Sequence, residues 1–192
     1  MAFQKVQRKA AKMRVAVAGK TLSALYLAYG VTGDWGKIAL IDTEHGRGQF
    51  YGNRSDLEVG EYLYQELVPP FTVERYITMA KEAEQAVGPD GVVIIDSFSH
   101  AWEGEGGVLD FKELTEQQQG KNSFTAWSDA GKKQNILINT LLSLNAHVIV
   151  TMRTKMAYAM EQNDRGKTVP VKIGLAPVQR ENTEYEFDLV FN

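Results

Sequence analysis

Residues Arg14 to Leu25 read Arg-Val-Ala-Val-Ala-Gly-Lys-Thr-Leu-Ser-Ala-Leu, a short apolar strand that passes through Gly-Lys-Thr directly into a helix. A buried strand feeding a helix in this way belongs to a parallel α/β sheet. The helix start then gathers free backbone N–H groups, a lysine and a hydroxyl at one point, which suits a phosphate. The full phosphate loop is Gly-x-x-x-x-Gly-Lys-[Ser/Thr], because successive N–H groups must wrap the anion before the helix begins. Here the strand reaches Gly19-Lys20-Thr21 with no wrapping loop. The lysine and the hydroxyl are kept, and the cradle is not.

The rest of the chain repeats the strand–helix alternation. Val15–Ala18 is the first strand. Thr21–Tyr29 is a helix whose Leu22, Leu25, Tyr26 and Tyr29 have the spacing of one buried face. Lys37–Ile41 is a second strand, ending in Asp42-Thr43-Glu44, and a polar, Gly-rich loop covers 46–56. Tyr62–Leu67 alternates as a strand, and Thr72 opens a helix that runs to Val87. Val92–Ile95 is a continuous β-branched run, as in a strand buried on both faces, and it ends in Asp96-Ser97. A Gly-rich loop follows, then helices over Val108–Glu116 and Ser123–Leu144 and a strand over His147–Met152. Met156–Gln162 and Thr168–Ile173 form a hairpin, and Glu184–Phe191 is a last alternating strand. The expected fold is α/β: a mostly parallel sheet with helices on both faces and an antiparallel C-terminal edge. The expected organisation is a basic arm over 1–13 and one core over 14–192.

Composition narrows the chemistry. With 44% hydrophobic and 23% charged residues the chain has the makings of a globular core, and its net charge of −3 gives no global basic signature. There is no cysteine, so disulfides and Cys-ligated metals are excluded and a reducing, cytoplasmic setting is expected. No apolar run reaches the roughly 20 residues of a membrane span, so no membrane partner is expected. His45, His100 and His147 lack metal-ligand spacing, and His147 reads as structural.

Three strand ends carry chemistry. Asp96 after Val-Val-Ile-Ile has the position of a carboxylate that holds a metal's water shell. Glu44 has that of a base polarising a water, and Thr151-x-Arg153 closes a further strand. Ligands in such sheets bind at the carboxyl ends of the strands. Each residue alone has a plain structural explanation; together with Lys20-Thr21 they lay out an ATP site.

These segments resemble a known family. Ile41-Asp42-Thr43-Glu44-His45 and Val93-Ile94-Ile95-Asp96-Ser97 are similar to the water-positioning and Walker B segments of RecA-type proteins. Asp96 to Gly107, Asn122-Ser123-Phe124-Thr125-Ala126-Trp127 and Gly174-Leu175-Ala176-Pro177-Val178-Gln179-Arg180 resemble a phage-encoded family of RecA-like, AAA-type P-loop ATP-binding proteins, linked to single-strand annealing and recombination. The resemblance implies ATP and Mg²⁺ as cofactors. Gly19, Lys20 and Thr21 would meet the phosphates, with Thr21 ligating Mg²⁺ and Asp96 holding it from further out; Ser97 joins this nucleotide-binding set. Glu44 would orient the hydrolytic water, Thr151 and Arg153 would sense the γ-phosphate, and Arg180, or Lys172 nearby, would reach a neighbouring subunit in a homo-oligomer. The implied setting is the cytoplasm of a bacterial host, with phage recombination proteins as partners.

The resemblance implies about five more residues between Ala18 and Lys20 and a continuation beyond Asn192. Either the loop is deleted, or it is missing from the sequence as written. The retained Lys20, Thr21, Glu44 and Asp96 favour the second. Single-stranded DNA is the expected partner, through the arm (Lys5, Arg8, Lys9, Lys12, Arg14), Lys121 and the hairpin (Arg165, Lys167, Lys172). Phe3, Tyr158 and Trp127 are candidates for stacking on bases, although Trp127, at the start of a long helix, reads more readily as core. The alternatives are a regulatory nucleotide-binding module and an interaction protein with a degenerate loop.

Overall fold

The computed structural model describes residues 12–17, 21–162 and 167–191. Six strands form one sheet in the order β3-β2-β4-β5-β1-β8, comprising β1 (Arg14–Val17), β2 (Ile38–Asp42), β3 (Leu63–Glu66), β4 (Val92–Asp96), β5 (His147–Thr151) and β8 (Leu189–Phe191). Every pairing in it is parallel. All carboxyl ends therefore lie along one edge, and Asp42 of β2 stands level with Asp96 of β4.

Helices cover both faces. On one side α1 (Thr21–Thr32) sets Ala24, Leu25 and Ala28 against Val15, Ile38, Val92 and Ile149. On the other, α2 (Val73–Val87) and α5 (Ser123–Ser143) pack Tyr76, Ala80, Leu137 and Leu141 against Ala39, Val93, Ile95 and Val148. The β-branched runs of β4 and β5 are buried on both faces, as their continuous apolar character requires. Helix starts follow their polar signals. Thr72 caps α2 by accepting from the Arg75 N–H, and Asn122 with Thr125 forms a capping box on α5.

The structure corrects several expectations. The buried stripe of α1 is Thr21, Ala24, Leu25 and Ala28, while Tyr26 and Tyr29 face outward. The small alanines let the helix approach the sheet. The tyrosines find other partners: the Tyr26 hydroxyl donates to the Leu57 carbonyl, and Tyr29 stacks on Trp35 with ring centroids 4.5 Å apart. The Gly-rich loop after β4 begins with a short helix, α3 (Ser99–Glu103), before α4 (Val108–Glu116). The antiparallel pairing is confined to β6 (Thr154–Gln162) and β7 (Thr168–Pro177), which make a separate two-stranded sheet. The main sheet's C-terminal edge, β8, runs parallel to β1, and residues 183–186 form a 3-10 turn in place of the first half of the expected strand. Arg14, assigned above to an exposed DNA-contacting arm, is only 7% exposed. Its guanidinium donates to the Leu142, Leu144 and Ala146 carbonyls at the C-terminus of α5. Residues 1–11 of the arm and Arg165 of the hairpin lie outside the described residues.

Candidate nucleotide site

The carboxyl edge of the sheet opens into a cleft of about 760 Å³ lined by Thr21, Glu44, Arg47, Phe50, Tyr51, Asp96, Arg153 and Thr154. Its floor is Asp96 at the end of β4. The Thr21 hydroxyl, at the first position of α1, donates to one carboxylate oxygen, and the Thr151 hydroxyl, at the end of β5, donates to the other. Asp96 is 5% exposed. Burial raises its pKa against the pull of the Thr151 and Thr21 hydroxyls, and the charges of Glu44 and Asp42 add to the rise.

The rim is an ion pair. Arg153, two residues beyond β5, meets Glu44 in a bidentate contact, Nε to Oε1 at 2.8 Å and Nη2 to Oε2 at 2.7 Å. Burial pushes the Glu44 pKa up, but the hydrogen bonds and charge of Arg153 outweigh it, so the group stays below its ordinary value; His100 and Arg47 add to the lowering. Glu44 is an ionised carboxylate at the mouth of the cleft. The Arg153 pKa is raised in return, mainly by its hydrogen bond to Glu44. The Arg153 backbone is tethered as well, its N–H donating to Ser99 Oγ at 2.9 Å.

Behind Glu44 lies a network that sequence reasoning did not find. Asp42 is fully buried and accepts from the Glu44 N–H (2.6 Å), the Gly48 N–H (2.8 Å) and the Tyr64 hydroxyl (3.1 Å), so one carboxylate organises the loop after β2. Thr43 Oγ1 lies 2.6 Å from His100 Nδ1 and accepts the Ser97 N–H at 2.7 Å. His100 stacks on Phe71 with centroids 4.9 Å apart, and burial and the Arg153 charge lower its pKa. The only sequence signal for this network was the run Asp42-Thr43-Glu44 at a strand end.

Thr21, Glu44, Asp96 and Arg153 thus share one cleft. Thr151 reaches it through Asp96, its hydroxyl spent on that carboxylate. Ser97 sits just behind, 2% exposed. Arg180 is elsewhere, with Nη1 bonded to Asn135 Oδ1 at 3.0 Å on the rim of a different cleft. Gly19 and Lys20 lie outside the described residues.

The donors fit half of a magnesium–nucleotide site. A hydroxyl and a carboxylate are the hard oxygen ligands Mg²⁺ takes, and a buried carboxylate held by neutral hydroxyls has room for a cation's charge. Arg47 adds positive charge to the rim beside the Glu44–Arg153 pair, where an anion would lie. The phosphate half is less complete, since only three residues separate the end of β1 at Val17 from the start of α1 at Thr21.

A family model described as an AAA domain matches residues 15–192, a span that takes in all eight residues lining the cleft. A search among curated proteins found no match.

Proposed function

The chain belongs to the AAA-domain family of nucleotide-binding P-loop ATPases, and on that premise we propose that it is a Mg²⁺-dependent ATPase acting on single-stranded DNA in phage recombination or strand annealing. The observation that carries the ATPase reading is the shared cleft, in which Asp96 with its two threonine hydroxyls faces the Glu44–Arg153 pair. Thr21 and Asp96 would hold Mg²⁺, and the ion, when bound, neutralises phosphate oxygens. Glu44, ionised and tethered through Asp42 and Thr43, orients the attacking water and receives its proton. Arg153 holds Glu44 in place and offers its guanidinium to developing negative charge in the cleft.

The DNA reading draws on the family resemblance and on the β6–β7 ribbon. Its strands carry Lys155 and Lys172 against Glu161, with Lys167 just before the second strand and Tyr158 exposed beside them, in a chain of net charge −3. Basic residues on an extended ribbon suit a phosphate backbone, and their contribution falls as salt rises. Assembly into a homo-oligomer and a cytoplasmic setting in the host are part of the same proposal. Among the described residues, no helix is long and apolar enough to cross a membrane.

Phosphate release measured with and without single-stranded DNA tests the reading. We expect Mg²⁺-dependent turnover stimulated by DNA. Glu44→Gln should lower it by roughly 100-fold or more while Mg-ATP still raises the melting temperature. One observation favours a second reading, a regulatory nucleotide-binding module or an interaction protein: the three-residue connection between Val17 and Thr21. Mg-ATP binding without turnover selects the regulatory module, and no thermal shift at all selects the interaction protein.

A further inference from the structure

Arg180 points to a second site. Another cleft, of about 430 Å³, is lined by Trp102, Trp127, Gln179, Arg180, Glu181 and Asn182. Trp102 comes from α3 and Trp127 from the second turn of α5, and their rings lie 6.4 Å apart, tilted by 31°. Trp127 is 47% exposed, an unusual state for an indole on a helix that packs on the core. The Lys112 ammonium stands 5.4 Å from the centre of its ring and is also paired with Glu116.

The polar part of the cleft is fixed from below. Gln179 is 7% exposed; it accepts from Gln134 Nε2 and from the Arg180 N–H, both at 2.9 Å, and donates to the Phe98 carbonyl. Arg180 is braced by Asn135, and Asn182 holds a left-handed conformation at φ 68° that turns the chain at the rim. Two indole rings, a guanidinium and an amide therefore line one opening. Arg180 is balanced by Glu181, so the lining does not select for charge. It matches a planar, uncharged ring with hydrogen-bonding edges.

We propose that this cleft binds an unpaired nucleobase, stacked on Trp127 and Trp102 with Arg180 and Asn182 at its polar edge. The proposal rests on the single-stranded DNA reading only for the source of the base; it requires no ATP hydrolysis. The cleft is also tied to the nucleotide site. The Val178 N–H donates to the Arg153 carbonyl at 2.7 Å, one residue before Gln179.

Tryptophan emission of the full chain, excited beyond the absorption of the bases, provides the test. Two of the chain's three tryptophans line this cleft. Titration with uncharged nucleosides, with mononucleotides and with short single-stranded oligonucleotides should give saturable quenching. Because stacking carries the contact, nucleoside quenching should not change between low and high salt. Trp127→Leu, at a half-exposed position, should retain the wild-type fold by circular dichroism and weaken nucleoside binding by roughly ten-fold. An oligonucleotide that binds more tightly per base than the nucleoside identifies the source as a DNA strand, whereas equal binding identifies a free nucleotide. The proposal is overturned if none of these ligands quenches. It is also overturned if nucleosides bind equally well to wild type and to Trp127→Leu while a labelled oligonucleotide still binds both, a result that leaves the DNA reading standing and removes only this site.

Discussion

Replacing Thr151 with Val removes one of the two hydroxyls that hold the Asp96 carboxylate. The branched shape that suits a strand is kept, so the packing of β5 changes little. A donor to a buried charge is lost. Thr151 is 1% exposed, and its Oγ1 donates to Asp96 Oδ1 while Thr21 covers only Oδ2. A hydrogen bond to a charged group contributes about 1.5–3 kcal/mol, and baring a buried acceptor costs a similar amount. At neutral pH Thr151→Val should therefore lose about 2 kcal/mol of stability. The sign of the pH dependence comes from the Asp96 proton. Burial raises the Asp96 pKa above its unfolded value, with the two hydroxyls opposing the rise. An acid shifted in that direction binds its proton more tightly when folded. Its ionised form costs stability above the folded pKa, and the cost is relieved as pH falls through that pKa toward the unfolded one. Removing Thr151 raises the folded pKa further, so the deficit of the variant should be largest at neutral pH and shrink on acidification. Urea unfolding at matched pH, with an unchanged slope, measures both quantities. A neutral-pH deficit under ~0.5 kcal/mol, the low end for an ordinary hydrogen bond, refutes the reasoning. A deficit that stays constant on acidification refutes it equally.

Arg14→Met strips the donors from the Leu142, Leu144 and Ala146 carbonyls at the end of α5. The expected loss is about 2–4 kcal/mol in urea unfolding, and a near-neutral result would show that water replaces the guanidinium there. Gly48→Ala puts a Cβ 2.5 Å from Leu40 Cδ2 and 3.1 Å from Asp42 Oδ2. Overpacking of that kind costs about 1–3 kcal/mol, which a lowered melting temperature would report and an unchanged one would contradict.

The parallel sheet was legible because its strands announce themselves. Val92–Ile95 and Val148–Val150 are β-branched runs too short for helices and end in polar residues, and that ending also exposed Asp96, Glu44 and Arg153 as candidates. The buried face of α1 was not legible, since the helix is apolar on most sides and periodicity cannot choose among stripes. The choice was made by the sheet, which admits Ala24 and Ala28 at close range and leaves the tyrosines to Trp35 and Leu57. Arg14 read as part of a basic arm because the carbonyls that bury it lie more than 125 positions away along the chain. Trp127 read as core because a half-exposed indole leaves no mark in the sequence. Asp42 was hidden by Glu44 two residues on, whose position it fixes.

The two halves of the candidate site depend on different parts of the fold. Glu44, Asp96 and Arg153 lie at or just beyond the ends of strands whose mutual positions are set by the ladder: Asp42 pairs with Asp96, and Ile95 with Val150. Thr21 is placed by α1, which Ala24, Leu25 and Ala28 lock against the sheet. Glu44, Asp96 and Arg153 owe their positions to the strand ladder and not to the connection between Val17 and Thr21. Holding a triphosphate and positioning a metal and a water are therefore separable in this architecture. A chain with a three-residue connection can keep the Asp96 cluster and the Glu44–Arg153 pair intact, because the sheet maintains them whether or not a cradle is present.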